Sequence, residues 1–466
     1  MALSINLAAW RKEANALLLI GAPMALTQII QFSVTSIDVL MIGQLGPEAL
    51  ASASLGLVIY YAFFVCGMGP AMAVSPMVSQ ALGADPNNTQ DVRRSVRMGF
   101  WAVIMMFPFL ITPMFFTTEV ANFLGQPPGP AKAAEPYVLA LAPGLPFALF
   151  VIVMRNFLAA IKRTRAPLVF IIFTTILNTF LNWVLIYGNL GMPRLELIGA
   201  GIASSVSHAA GFALMVAYVS IEHQSRRFQL FKNIMHIDWP RLREIAFLAW
   251  PIALTMIFEA MLFNACVLLM GRIGIEEMAA YQIALNVAAI AFMAPLGLSI
   301  AGATRVGLMT GARDPVGVRR AAMVSILVGS AAILAFAIPM LLAPYWVAGL
   351  YLDRSVASNA SVIQLAASFL PIAAAFALFD AVQVSAGQAL RGLKDVRLPM
   401  IISFVAFWVI GFPIAAWTGL GTSLGARGVW FGLLAGLLAA AIMLATRLWY
   451  LTKDDGQFLA NTAKHS

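Results

Sequence analysis

Charge is what this chain has least of. Only 11% of its 466 residues are Asp, Glu, Lys or Arg, against about 25% in soluble domains, and that shortage excludes an ordinary water-soluble globule. It holds two cysteines, Cys66 and Cys266. Both fall inside apolar runs, so a disulfide framework or thiolate metal site is not expected. Of four histidines, only His208 lies in an apolar run, where a core hydrogen bond is its expected role. There is no G-x-x-x-x-G-K-[ST] string and no H-E-x-x-H, so the phosphate cradle and the zinc-protease helix are both missing.

What is present is apolar sequence, 61% by count. Runs long enough to cross a bilayer, about 20 residues each, recur at 14–42, 50–80, 97–118, 135–160, 167–188, 197–220, 245–271, 278–309, 320–346, 361–390, 398–417 and 427–450. Arg11 and Lys12 precede the first run, which is too long for a signal-peptide core and reads as a retained span. With the N-terminus inside, 23 of the 29 basic residues flank the cytoplasmic ends and five the outer ends. Arg155 alone lies within a span, with its side chain expected to snorkel inward. This bias orients both termini to the cytoplasm. It also absorbs the net charge of +9 into topology, leaving no basic patch for nucleic acid.

An offset of 228 lays Pro23, Ala25, Leu26, Thr27 and Ile29 on Pro251, Ala253, Leu254, Thr255 and Ile257, and Gly69 on Gly297. Val92-Arg93-Arg94 and Val318-Arg319-Arg320 follow near that register. Two copies of six spans insert in the same orientation. The expected fold is an all-α polytopic membrane protein of twelve transmembrane helices, built as two six-helix bundles related by a pseudo-two-fold axis along the membrane normal. The lobes are 1–220 and 245–450, with a cytoplasmic linker at 221–244 and a tail at 451–466. Paired bundles suit an alternating-access carrier, although duplication can also simply record how a large bundle arose.

Of the 20 acidic residues, all but three, Asp38, Glu259 and Asp380, fall at the ends of spans or between them. An acid within hydrocarbon is costly, about 2.5 kcal/mol upward, and marks a functional cavity. Glu259 and Asp380 are the deeper pair and Asp38 lies nearer the outer end. Buried carboxylates of this kind can hold a proton or a small cation, and exclusive binding of cation and ligand couples their opposite movements. The amides Gln31, Asn178, Asn182, Gln282, Asn286 and Gln383 are candidate cavity groups. Asn178 and Asn182, spaced i,i+4, share one helix face. Each amide could instead serve only to join helices.

PMALTQIIQFSVTSIDVLMIGQLG, WPIALTMIFEAMLF with GRIGIEEMAAYQIALN, and FDAVQVSAGQALRGLKDVRLPM resemble the multidrug and toxic compound extrusion (MATE) family, in its NorM-type branch. The resemblance covers nearly the whole chain. It implies a cation site in the C-terminal lobe at Glu259 and Asp380, and an N-terminal-lobe site at Asp38, Asn178 and Asn182. Some members carry Tyr where this chain has Phe376, one turn before Asp380, so the choice between Na+ and H+ stays open. The expected protein is a monomeric multidrug antiporter seated in the lipid bilayer of the bacterial inner membrane, exporting amphipathic, cationic compounds in exchange for Na+ or H+ and needing no cofactor. The rivals are a flippase for lipid-linked oligosaccharides, which would need a cluster of basic residues in mid-span, and an intramembrane enzyme.

Overall fold

The computed structural model describes residues 7–352, 354, 356, 359–455 and 458; Asp353 and most of the tail, Lys464 included, lie outside them. The described residues are helical, without strands, as hydrocarbon demands of a chain whose backbone must satisfy itself. The first half runs through α1 (Leu7–Gly43), α2 (Pro47–Ala84), α3 (Thr89–Ile111), α4 (Thr117–Phe123), α5 (Pro128–Leu141), α6 (Gly144–Ala160), α7 (Arg165–Tyr187) and α8 (Glu196–Ile221). A short α9 (His223–Arg226) leads to α10 (Trp239–Ile273), α11 (Ile275–Gly311), α12 (Pro315–Leu342), α13 (Pro344–Ala348) and α14 (Ala360–Gly392). Then α15 (Arg397–Phe404), a π-helical stretch (Val405–Gly411) and α16 (Phe412–Leu420) make one span, and α17 (Ala426–Thr452) the last.

Among the described residues, eleven helices are long and apolar enough to cross a membrane. The twelfth span is α5 with α6, bent by 49°. The sequence reads this as a single run over 135–160, but it begins at Pro128 and breaks at Pro143, whose ring cannot continue the ladder of hydrogen bonds. The duplication reaches the helix caps: Asn88 Oδ1 accepts from the Asp91 amide at the start of α3, and Asp314 Oδ1 accepts from Gly317 at the start of α12.

Contacts divide the chain into two units, Ile29–Ala253 and Met1–Gln28 with Leu254–Ser466. The leading part of α1 thus packs with the second half of the sequence, and the leading part of α10 with the first. The copies bury the same stripe: Leu17, Ile20, Met24, Ala25 and Thr27 on α1, and Ile245, Leu248, Ile252, Ala253 and Thr255 on α10, at helical spacing. Within one unit Gly297 of α11 meets the Ala25 backbone. In the other, Gly69 of α2 meets Ala253 and the Ala249 carbonyl. Small residues at such crossings let backbones approach. Gly297→Val would press a branched side chain into the α1 backbone and is expected to cost about 1–3 kcal/mol, read as a lowered midpoint of thermal unfolding in detergent.

Below the first of these crossings the α1 segment is pinned by charge. Arg305 donates through Nε and Nη2 to both oxygens of Glu13, each bond 2.7 Å long, with both residues buried. The sequence reads Glu13 as one more cytoplasmic flanking acid. Its place on the buried stripe, four residues before Leu17, instead turns it inward.

The segment 221–244 is ordered against α3. Trp101 donates to the Ile234 carbonyl and Arg97 to that of Asn233, and Phe228 packs edge-on against Phe157. Asp238 accepts from Arg94 Nε, a bond that holds its carboxyl below the usual range. A depressed acid stabilises the fold above its unfolded value near 3.9 and loses that contribution as pH falls through the folded value. Hydrogen exchange in this segment, corrected for intrinsic rates, is therefore expected to stay flat on acidification to about pH 4. In Arg94→Gln, protection should fade at a higher pH than in the unmodified chain.

Candidate functional site

The sequence-predicted polar residues gather in two places, one in each unit. In the unit Ile29–Ala253, α7 turns Asn178 and Asn182 to one buried face, and Asn182 Nδ2 donates to Asn178 Oδ1 at 3.2 Å and to Asp38 Oδ1 at 2.6 Å. Asn178 Nδ2 donates to Ser204 Oγ at 3.3 Å, and Ser204 also bonds the Asp38 carboxylate. Asp38 is thus met by donors on both sides. Ser204 completes this cluster without having stood out in the sequence, because GAGIASSVSHAAG holds several small polar residues and no pattern singles one out. Gln31 stands apart, two helical turns from Asp38, about 10 Å along α1. Its Oε1 receives Arg155 Nη1 at 3.5 Å. Arg155 is therefore buried within the span and directed at α1 instead of snorkelling toward the cytoplasmic end. His208 also departs from expectation, since its buried Nδ1 has no hydrogen-bond partner among the described residues.

In the other unit Asp380 is 5% exposed on α14 and Glu259 half-buried on α10, near enough to interact electrostatically. A turn on, Gln383 is equally buried. Asp380 Oδ1 and Gln383 Oε1 have no hydrogen-bond partner among the described residues. Two acceptor oxygens on one helix face with no donor suit a proton, a cation or a hydrogen-bond donor, never an anion. Glu259 is steadied from behind, since the π-helical stretch presents Trp408, whose Nε1 donates to the Phe258 carbonyl at 3.2 Å. Phe376 is sealed among rings, 5.7 Å from Trp430 and 6.0 Å from Phe263. Gln282 and Asn286 are exposed on α11, and Asn286 Oδ1 accepts from Tyr351 at 3.0 Å and not from either acid.

No group of three His, Cys, Asp or Glu among the described residues could hold a metal. Asp380, Glu259 and the Gln383 carbonyl do fit a weakly held monovalent cation or a proton. A G-x-S-x-G string does occur at Gly421 to Gly425, but it lies in the turn between α16 and α17 with no strand before it, so it cannot form a nucleophile elbow.

Up to twelve spans, an internal duplication and deep acids without a catalytic constellation among the described residues define a membrane carrier by class. The chain belongs to the MatE family, which matches residues 23–184 and 251–417; the two matches begin at the prolines that align the duplication. It is 38% identical over 447 residues to a probable multidrug resistance protein NorM of Mesorhizobium japonicum, covering 96% of this chain and 95% of that one. A protein of the same description from Rhizobium meliloti is 39% identical over 450 residues, covering 95% of each. Among solved structures, the eukaryotic MATE transporter AtDTX14 superposes with a TM-score of 0.84 at 19% identity, covering 98% of this chain and 99% of that one. A multidrug resistance MATE family transporter in an outward-facing conformation gives 0.84 at 19% identity, over 95% and 97%. The chain is a transporter of this fold and not an enzyme.

Proposed function

We propose that the protein is a multidrug efflux antiporter that exports amphipathic, cationic compounds from the bacterial cytoplasm while a cation enters. The observation that carries the coupling is the donor-free oxygen pair of Asp380 and Gln383 beside Glu259. Glu259 and Asp380 hold the coupling cation, Na+ or H+, and Asp38 with Asn178 and Asn182 shapes the second site. The two lobes, 1–220 and 245–450, work as a monomer in the inner membrane with both termini cytoplasmic. A cation bound at the acids and a cationic drug compete for the same negative charge, so each favours the opposite conformation. The membrane potential adds about 2.3 kcal/mol per inward charge at 100 mV. A flippase would need basic residues gathered in one cavity to grip a pyrophosphate; here Arg155 engages Gln31, and the carboxylates of Asp380 and Glu259 would repel such a ligand. In proteoliposomes, a pH gradient imposed without Na+, or a Na+ gradient at uniform pH, should drive dye extrusion. Extrusion under neither gradient would refute cation coupling.

A further inference from the structure

We infer that Trp408 is a positioning residue of the proposed cation site: its indole N–H fixes the direction in which α10 presents Glu259. The inference rests on the proposed cation site and adds a residue that hydropathy counts as one more apolar side chain of its span.

Trp408 lies at the middle of the span Arg397–Leu420, away from the water that its N–H would meet at a membrane interface. Its Nε1 donates instead to the Phe258 carbonyl of α10 at 3.2 Å. Such a bond between helices is not automatic in this protein. Trp430, fully buried on α17, finds no acceptor for its Nε1 among the described residues. Phe404, four residues before Trp408, packs edge-on against the Phe258 ring at 5.3 Å, so Phe258 is held at backbone and ring by the same span. Neighbouring residues leave a helix about 100° apart. A fixed Phe258 therefore fixes the bearing of Glu259.

The backbone that carries Trp408 is of a rare kind and is braced. Val405–Gly411 is π-helical, and the Phe412 amide that follows is bonded five residues back, to the Phe407 carbonyl; widened turns of this sort gather at functional sites. Gly411 lies against Gly436 of α17, where a Cβ added to either would come 3.0 Å from the Cα of the other. The stretch is thus seated backbone to backbone on α17 while Trp408 reaches to α10.

The test removes the donor and keeps the shape. Trp408 is replaced in the full chain by benzothienylalanine, whose sulfur stands in the place of the N–H in a ring system of the same outline, and Trp inserted at that codon by the same suppression method is the control. Dye extrusion from proteoliposomes is measured against the concentration of the coupling cation, Na+ at uniform pH or H+ without Na+. The half-saturating concentration should rise about five- to tenfold, the scale of one hydrogen bond, with the maximal rate and the KM for dye unchanged. Trp408→Phe, which also lacks the donor, should give the same shift, and hydrogen exchange over residues 255–264 should quicken in both variants. An unchanged half-saturating concentration, a lower maximal rate without that shift, or exchange at the control's rate overturns the inference, because a side chain that only fills space gives no such combination. An unmodified protein that neither cation drives overturns the proposed site itself, an outcome distinct from those.

Discussion

Glu259→Gln and Asp380→Asn are each expected to abolish cation-driven drug uptake into inverted vesicles, the equivalent of efflux from the cell, while leaving the protein inserted and folded. Each substitution keeps the shape of the side chain and removes the charge that a cation would neutralise. For Asp380 the loss is compounded, because the new amide brings a donor into a setting where Gln383 Oε1 has none; the pair can then close on itself and no longer calls for a cation. The effect on fold is expected to be small, since removing a buried charge relieves its desolvation. Asp38→Asn should be milder, because Asn182 and Ser204 surround that carboxylate with donors and an amide oxygen can accept from one of them. Normal transport by both the Glu259 and the Asp380 variants, measured under the gradient that drives the unmodified protein, would rule out the assignment.

Breaking the Glu13–Arg305 pair is expected to have the largest effect on stability. Both side chains are buried and joined through two bonds. Removing one partner leaves an uncompensated charge in the interior, a loss of about 3–5 kcal/mol, whereas replacing both with apolar residues of similar volume is often neutral. Glu13→Ala should therefore unfold at markedly lower temperature, and Glu13→Leu combined with Arg305→Met should recover most of the loss. If the double variant is no more stable than Glu13→Ala alone, the pair is not what fastens the start of α1.

These two cases show what the sequence can and cannot disclose. Membrane spans are legible because hydropathy is a local property, and the duplication because Pro23 and Pro251 begin long matching strings. Asn178 and Asn182 are legible as a pair because helical spacing alone puts them on one face. Glu259 and Asp380 stand out because charge in hydrocarbon is rare. Glu13 is not legible: beside Arg11 and Lys12 it looks like solvated flank, and only a partner 292 positions away makes it structural. Gln282 and Asn286 are legible only as polar residues within a span, because polarity alone does not reveal which way a helix face turns.

The partnership between Glu13 and Arg305 also has a bearing on biosynthesis. Ribosomes add about 5–20 residues per second, so a separation of 292 residues amounts to roughly 15–60 s during which the acid has left the ribosome and its arginine has not yet been made. The earliest helix to be inserted can take up its final neighbours only after α11 arrives, which makes this end of the chain a natural client for membrane chaperones and its docking a late event in maturation.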